Sequence, residues 1–433
     1  MARINEITIW GFKEKGRIVT LRLTEHNISV VYGPNGIGKT TILNIINAIF
    51  SKDEVTLNNE NVSAIEINFT DDESKERTVK IIRYEEEVDD DDGISYDDIY
   101  YDWLEFESSP LSSQVVLYLG IDRGTTDSIY SIAHVHSVLS KNPLLRSAFK
   151  NITMLRRLAR DLVASIEEDS NPIPSYLAAI NSNEDLEDTC IDLKRVNISS
   201  IEKELIEWRL REQGELSSII LNCLFDLIAI SLGSHDTPEA VFTEKEKDAY
   251  ERYRELLADA LPDGAFGQLK AKLYNILRDE SGSDILTHAS TSRELRLLIL
   301  KMTKEVERLQ PRVSLSYMID KYNSFLAESE KMLVVEGSRA YIDMGDVKHP
   351  LKKLSSGERH LLTFIFTVYA IGSACDTILI DEPEISLHVK WQRRLMPTLA
   401  ELAPRAQFIA ASHSPSLVHK RLGYLTEIQQ VEI

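Results

Sequence analysis

The residues best suited to chemistry form a glycine-rich segment near the N-terminus, Gly33-Pro34-Asn35-Gly36-Ile37-Gly38-Lys39-Thr40. It matches the phosphate-binding P-loop pattern G-x-x-x-x-G-K-[ST] in full. Glycines let the backbone wrap closely and direct its N–H groups at phosphate oxygens, and the helix beginning at Thr40 adds its positive end. We expect Lys39 to reach the β- and γ-phosphates of ATP and the Thr40 hydroxyl to bind Mg²⁺. The predicted nucleotide-binding residues of this segment are Gly33, Asn35, Gly36, Gly38, Lys39, Thr40 and Thr41. The alternative interpretation is a tight glycine-rich turn without a ligand.

Two adjacent carboxylates follow a short apolar run near the C-terminus. The run 377–380 predicts a buried strand that ends at Asp381-Glu382-Pro383, which is typical of a Walker B segment. Ligands of α/β sheets bind at the carboxyl ends of strands. We therefore expect Asp381 to hold Mg²⁺ and Glu382 to orient and polarise the attacking water. Acidic residues are also common at helix N-termini without any ligand, but the P-loop favours the functional interpretation.

A third motif precedes a predicted helix, Leu354-Ser355-Ser356-Gly357-Glu358-Arg359. It resembles the ABC signature, Leu-Ser-Gly-Gly-Gln, in its SMC-like variant. Hydroxyls and free backbone N–H groups at a helix N-terminus suit the binding of a γ-phosphate held by another subunit. The predicted residues are Ser355, Ser356, Gly357 and Glu358. A plain helix cap is the other interpretation, and the two are compatible.

Two histidines lie near these motifs. His413 follows another predicted strand and resembles the switch histidine of ABC ATPases, which contacts the γ-phosphate. A lone histidine at a strand end is usually structural, but the order of the motifs favours a catalytic role. His388 lies in the region of the D-loop, where we expect a structural or intersubunit role rather than metal binding.

Together the motifs resemble those of an ABC/SMC-type AAA ATPase, and more narrowly of the OLD-like ATPases of bacterial anti-phage systems. The resemblance implies ATP and Mg²⁺ as cofactors, and two chains that sandwich two ATP molecules head to tail. OLD nucleases continue into a Toprim nuclease domain, whereas this sequence ends shortly after His413. The resemblance therefore implies a stand-alone ATPase subunit of a two-gene system such as PARIS or Septu, associated with a separately encoded nuclease or toxin.

Two features depart from this family pattern. Gln114 is only a weak candidate for the Q-loop glutamine, although the segment 115–123 resembles a strand-then-arginine element of the group. The middle of the chain also lacks the long heptads and the zinc hook of double-strand-break repair ATPases.

The elements that must position these residues alternate between strand and helix at both ends of the chain. This alternation predicts an α/β domain with a mixed sheet, interrupted by an all-helical insertion. We assign residues 1–150 to an N-terminal ATPase lobe, 151–332 to the helical insertion and 333–433 to a C-terminal ATPase lobe. Helices are expected over 201–230, 244–260, 267–278 and 293–309, an antiparallel hairpin over 64–84, and a solvated loop over the acidic run 85–92.

Composition narrows the function classes. Lys and Arg total 49 against 69 Asp and Glu, a formal net charge of -20, which argues against a protein coated in basic surface for indiscriminate DNA binding. The 3 cysteines have no metal-ligand spacing and indicate a reducing compartment. We find no signal peptide and no apolar run long enough to span a membrane. We expect a cytoplasmic protein with no membrane partner.

The leading hypothesis is therefore an ATPase that forms a homodimer or higher homo-oligomer and controls a nuclease or toxin in phage defence. The alternative is a DNA-repair ATPase resembling RecF or SMC proteins, which acts on DNA directly, so DNA stays possible as a partner. A transporter ATPase is the third class, but the large insertion and the lack of a clear Q-loop argue against it.

Overall fold

The computed structural model describes residues 2–14, 16–34, 36–89, 95–120, 190–193, 198–233, 242–261, 267–279, 293–309 and 315–432. Asn35, the residues 121–123 of the strand-then-arginine element and the predicted lobe boundary at residue 150 lie outside the described residues. The chain divides into two compact units, 1–201 with 321–329 and 350–433, and 202–320 with 330–349.

The first unit is built on one mixed sheet. Its strands are β1 (Arg3–Trp10), β2 (Arg17–Arg22), β3 (Ile28–Tyr32), β4 (Ala64–Thr70), β5 (Glu76–Asp89), β6 (Ser95–Asp102), β7 (Val116–Leu119), β8 (Cys190–Leu193), β12 (Thr377–Asp381), β13 (Gln407–Ser412) and β14 (Leu425–Glu432). They form an 11-stranded sheet in the order β6-β5-β4-β1-β2-β14-β3-β13-β12-β7-β8. The strand β14 pairs antiparallel with β2 and parallel with β3. It thereby joins an antiparallel half to a parallel half, and the mixed α/β fold is confirmed.

Burial explains why the two halves have different sequences. The strand β13 is buried at every position, and β12 at every position except its last. Such continuous apolar runs are typical of parallel strands covered on both faces. In β4, by contrast, buried residues alternate with partly exposed ones, because one face of the antiparallel half packs on the core and the other does not.

Helices of the first unit include α1 (Lys39–Ser51), α2 (Glu54–Asn59), α3 (Leu104–Glu107), α9 (Ser356–Ile371) and α10 (Val389–Leu402). The side chains of Ile42 and Ile46 on α1 are fully buried in one core cluster with Leu379 of β12 and Ile409 of β13. This packing fixes the start of α1 beside the ends of the central strands. The helix α9 is buried along most of its length, as its apolar sequence predicts.

The second unit contains the helices α5 (Glu244–Asp259), α6 (Gly267–Leu277) and α7 (Arg293–Leu309), with most of α4 (Ile198–Gly233) and the first half of α8 (Leu315–Leu326). Buried residues such as Ile220, Tyr250, Leu298 and Met302 form its core. The four predicted helices between 201 and 309 are thus found within a few residues of their expected bounds. A second sheet has the strand order β11-β10-β9, formed by β9 (Met332–Glu336), β10 (Arg339–Asp343) and β11 (Lys348–Pro350). None of the helices in the described ranges combines the length and apolar character that a bilayer crossing requires.

Two segments differ from the sequence-based expectations. The strand β8 falls inside the region predicted to be helical and pairs parallel with β7; a run of four residues is too short to show a period of two. The acidic run was expected to be a loop, but its residues 85–89 extend β5 and pair with β6. Strand pairing uses backbone N–H and C=O groups, which acidic side chains do not remove.

Candidate functional site

Three neighbouring parallel strands bring the predicted motifs to one edge of the sheet. The strand β13 lies between β3 and β12, with Ser412 opposite Tyr32 and Asp381 opposite Ala411. The carboxyl ends of these strands therefore lead directly into the P-loop, the Asp381-Glu382 pair and His413. Ligands of open α/β sheets bind at such an edge.

The P-loop backbone has the conformation that its glycines permit. Gly36 and Gly38 have φ angles of 85° and 95°, which residues with a Cβ rarely adopt. A Cβ on Gly38 would also lie 2.5 Å from Cζ of Phe12. Gly38 caps the N-terminus of α1 and no side chain caps it there. The arrangement suits an anion bound by the backbone N–H groups of the first helical turn.

Lys39 is buried at the centre of the site. Its Nζ donates to the carbonyl oxygens of Gly33 at 2.7 Å and Pro34 at 3.1 Å, and lies 2.9 Å from Nδ1 of His413. Burial lowers the pKa of Lys39, and the nearby carboxylates of Glu382, Glu384 and Asp381 oppose that shift. Lys39 therefore places a positive charge where phosphate oxygens would be bound.

Asp381 and Thr40 form an oxygen pair beside Lys39. The Thr40 hydroxyl donates to Oδ1 of Asp381 over 3.0 Å. Burial raises the pKa of Asp381, the Thr40 hydrogen bond lowers it, and the charge of Glu382 raises it further. Within the described residues, no group of three or more His, Cys, Asp or Glu could hold a metal ion by itself. One carboxylate and one hydroxyl fit Mg²⁺, which usually keeps several waters and takes its other ligands from phosphates.

Glu382 has a strained backbone. Its φ angle is 46°, which is uncommon for a residue with a side chain and clusters at functional sites. Its N–H donates to the carbonyl oxygen of Ala411 over 2.9 Å, which ties it to β13. Its Oε1 lies 3.5 Å from Nε2 of His413. With Nδ1 facing Lys39, His413 thus lies between the P-loop lysine and the Walker B glutamate.

Sequence reasoning missed Glu384, two residues after Glu382. Its Oε1 accepts hydrogen bonds from the Ser412 hydroxyl at 2.7 Å, from the N–H of His413, and from the N–H of Ser414 at 3.0 Å. The only signal in the sequence is a third acid close to the Asp381-Glu382 pair.

The signature segment begins a helix as expected. Ser355 caps α9 in a capping box, in which its hydroxyl accepts from the N–H of Glu358 and the Glu358 carboxylate accepts from the N–H of Ser355. A Cβ on Gly357 would lie 2.3 Å from the carbonyl oxygen of Ser386. The signature therefore packs against the loop that follows Glu382, and only glycine fits at position 357. Ser356 is the first residue of the helix.

Gln114 and His388 have hydrogen bonds that indicate structural roles. Gln114 precedes β7 and donates to the carbonyl oxygen of Ala2. It lies at the amino end of a strand parallel to β12, whereas the P-loop follows the carboxyl end of β3, so the weak Q-loop candidate lies at the opposite edge of the sheet from the P-loop. His388 caps α10 and accepts the N–H of Lys390 at 3.3 Å.

Comparisons with known proteins gave one family match and several similar proteins. A family model described as an AAA ATPase domain matches residues 3–418. A curated Escherichia coli protein, the retron Ec83 probable ATPase, is 29% identical over 89 residues, which cover 18% of this chain and 16% of that protein. The chain is similar to a solved Smc head domain with an extended coiled coil, bound to the C-terminal domain of ScpA, from Pyrococcus furiosus, with 14% identity over 100% of this chain and 97% of that one and a TM-score of 0.37. The chain is also similar to the SMC head domain from Thermotoga maritima, with 11% identity over 100% of both chains and a TM-score of 0.34.

Proposed function

We propose that ATP is bound and hydrolysed at the edge of the sheet formed by β3, β13 and β12. The premise is that this chain belongs to the AAA ATPase domain family and is an ATPase. One observation carries the proposal: three adjacent parallel strands deliver a P-loop lysine, two acids and a histidine to one place. Open α/β sheets bind nucleotides at this kind of edge.

Each side chain then has a defined task. Lys39 and the start of α1 bind the phosphates. Thr40 and Asp381 hold Mg²⁺, which supplies charge neutralisation at the β- and γ-phosphates when bound. Glu382 orients and polarises the attacking water, and His413 contacts the γ-phosphate from the end of β13. The His413 ring, with Nδ1 2.9 Å from Nζ of Lys39 and Nε2 3.5 Å from Oε1 of Glu382, is compatible with that role.

The signature completes the site from a second copy of the chain. Ser355, Ser356, Gly357 and Glu358 lie at the N-terminus of α9, where backbone N–H groups bind anions. The resemblance to the ABC signature assigns this segment to the γ-phosphate of the facing subunit in a head-to-tail homodimer, and the close packing of Gly357 on Ser386 holds it in place.

Substitution of Glu382 and of Lys39 tests the chemistry. Lys39→Ala is expected to abolish nucleotide binding, because the buried positive charge is lost. Glu382→Gln is expected to keep binding but to slow hydrolysis by about 10²–10⁴-fold, since only water activation is removed. Binding is measured by calorimetry and turnover by phosphate release. Glu328→Gln, at an exposed carboxylate paired with Lys390, serves as the matched control. Full hydrolysis by the Glu382→Gln protein would falsify its assigned role.

At the cellular level we propose a cytoplasmic ATPase subunit of an anti-phage defence system that scaffolds and controls a separate nuclease or toxin. The short match to an ATPase named for a retron is compatible with this role. The formal net charge of -20 fits a protein partner better than bulk DNA.

Tagged protein expressed with its neighbouring genes tests the partner. We expect a nuclease or toxin to co-purify with the wild-type chain, with a yield that changes in the Lys39→Ala variant. A chain that purifies alone, and whose ATP turnover rises with added duplex DNA, would contradict this proposal and favour a repair ATPase resembling RecF or SMC proteins.

A further inference from the structure

A single carboxylate oxygen gathers three donors at the end of β13. Oε1 of Glu384 accepts the Ser412 hydroxyl and the backbone N–H groups of His413 and Ser414. Its other oxygen, Oε2, is buried and has no hydrogen-bond partner among the described residues. Because two of these donors are the backbone N–H groups before and after the His413 Cα atom, this oxygen fixes the backbone on both sides of that atom.

A second contact prevents the carboxylate and the strand end from moving apart. The Ser414 hydroxyl donates to Oε1 of Gln392 at 2.7 Å. Nε2 of Gln392 donates to the carbonyl oxygens of Glu384 at 3.3 Å and Leu387 at 2.9 Å. Gln392 is a buried residue of α10, so the helix ties together the loops that follow β12 and β13.

The geometry points to Glu384 as a positioning residue for His413. The hydrogen bonds of its carboxylate go to Ser412, His413 and Ser414 and not to Lys39 or Glu382. They fix the position of the backbone from which the His413 ring reaches Lys39 and Glu382. The inference deepens the proposed function and rests on it: Glu384 acts on ATP hydrolysis through His413, and Gln392 supports it from α10.

A double-mutant cycle tests this dependence. Glu384→Ala is expected to lower kcat at least about tenfold in the wild-type background and less than about twofold in the His413→Ala background, since its route of action is then gone. KM for ATP should change less than about threefold in either background, because the P-loop is untouched. Glu328→Ala, at an exposed carboxylate, should match the wild type. An equal loss of kcat in both backgrounds would overturn the inference and leave the proposed function standing. A His413→Ala protein with unchanged kcat would overturn the inference and the role assigned to His413, whereas only a wild-type protein without ATP turnover would contradict the proposed hydrolysis.

Two conservative variants separate hydrogen bonding from charge. Glu384→Gln keeps a carbonyl oxygen at the same reach, and kcat should stay within about threefold of the wild type. Glu384→Asp keeps the charge but withdraws the oxygen from its donors, and kcat should fall at least about tenfold. The reverse order would show that the charge near Lys39 matters rather than the positioning, and would overturn the inference. Thermal unfolding is recorded for every variant. If Glu384→Ala is unfolded at the assay temperature, the same cycle is run with Glu384→Asp.

Discussion

At the scale of single residues, the contact between Gly38 and Phe12 shows how closely the P-loop is packed. Phe12 is fully buried beside the turn after β1, and a Cβ on Gly38 would lie 2.5 Å from its ring. Gly36 has a similar positive φ angle, but no contact within 4 Å of its Cβ position is found among the described residues. A side chain at position 36 would therefore strain only the backbone, whereas a side chain at position 38 would also collide with Phe12.

The variants Gly36→Ala and Gly38→Ala form a matched pair for measuring these two costs. Gly36→Ala should lower the free energy of unfolding by about 1–2 kcal/mol through its positive φ angle alone. Gly38→Ala has that cost and must also displace Phe12, which adds about 1–3 kcal/mol. Urea unfolding of both variants measures the difference. Equal losses would show that the loop moves away from Phe12 without cost.

The sequence identifies those site residues that belong to short contiguous motifs. Lys39, Thr40 and the Asp381-Glu382 pair belong to such motifs, and the structure brings Lys39, Thr40 and Asp381 together. Glu384 could not be identified in this way. Its partners lie 28–30 residues further along the chain, and they reach it only because β13 pairs beside β12.

At the scale of elements, local signals found most helices and long-range pairing decided the rest. The capping box of α9 is visible in the sequence because its two partners are three residues apart. The strand β14 gives no comparable signal for its position. Its residues enter between β2 and β3, both from the first part of the chain, and such a pairing depends on the whole sheet rather than on any local period.

The same pairing explains how β14 supports the site. Nε2 of Gln430 donates to the carbonyl oxygen of Ile37 at 3.0 Å, so the last strand holds the P-loop from the side opposite β13. An element that sequence patterns left undefined thus helps fix the residues that those patterns identified best.

At the scale of the whole molecule, the proposed head-to-tail homodimer assigns the motifs to two surfaces. Lys39, Asp381 and Glu382 lie at one edge of the sheet, whereas Ser355 caps α9 beside the loop that follows Glu382. In a head-to-tail homodimer, each nucleotide would take its P-loop and Walker B acids from one subunit and its signature from the other. Two inactive variants should therefore restore activity to each other only when one is changed in the P-loop or Walker B residues and the other in the signature.

Mixed dimers test this expectation. Lys39→Ala and Ser355→Arg subunits should each be inactive alone, but a heterodimer of the two contains one intact site and one doubly damaged site. Random pairing gives heterodimers in half of the assemblies, so about a quarter of the wild-type ATP turnover should return. A mixture of Lys39→Ala with Glu382→Gln is the control, because both changes lie on the same surface and no heterodimer then has an intact site. Two different affinity tags isolate the heterodimers, and phosphate release measures turnover. If purified Lys39→Ala/Ser355→Arg heterodimers are no more active than the control pair, each chain completes its own site and the shared-site arrangement is wrong.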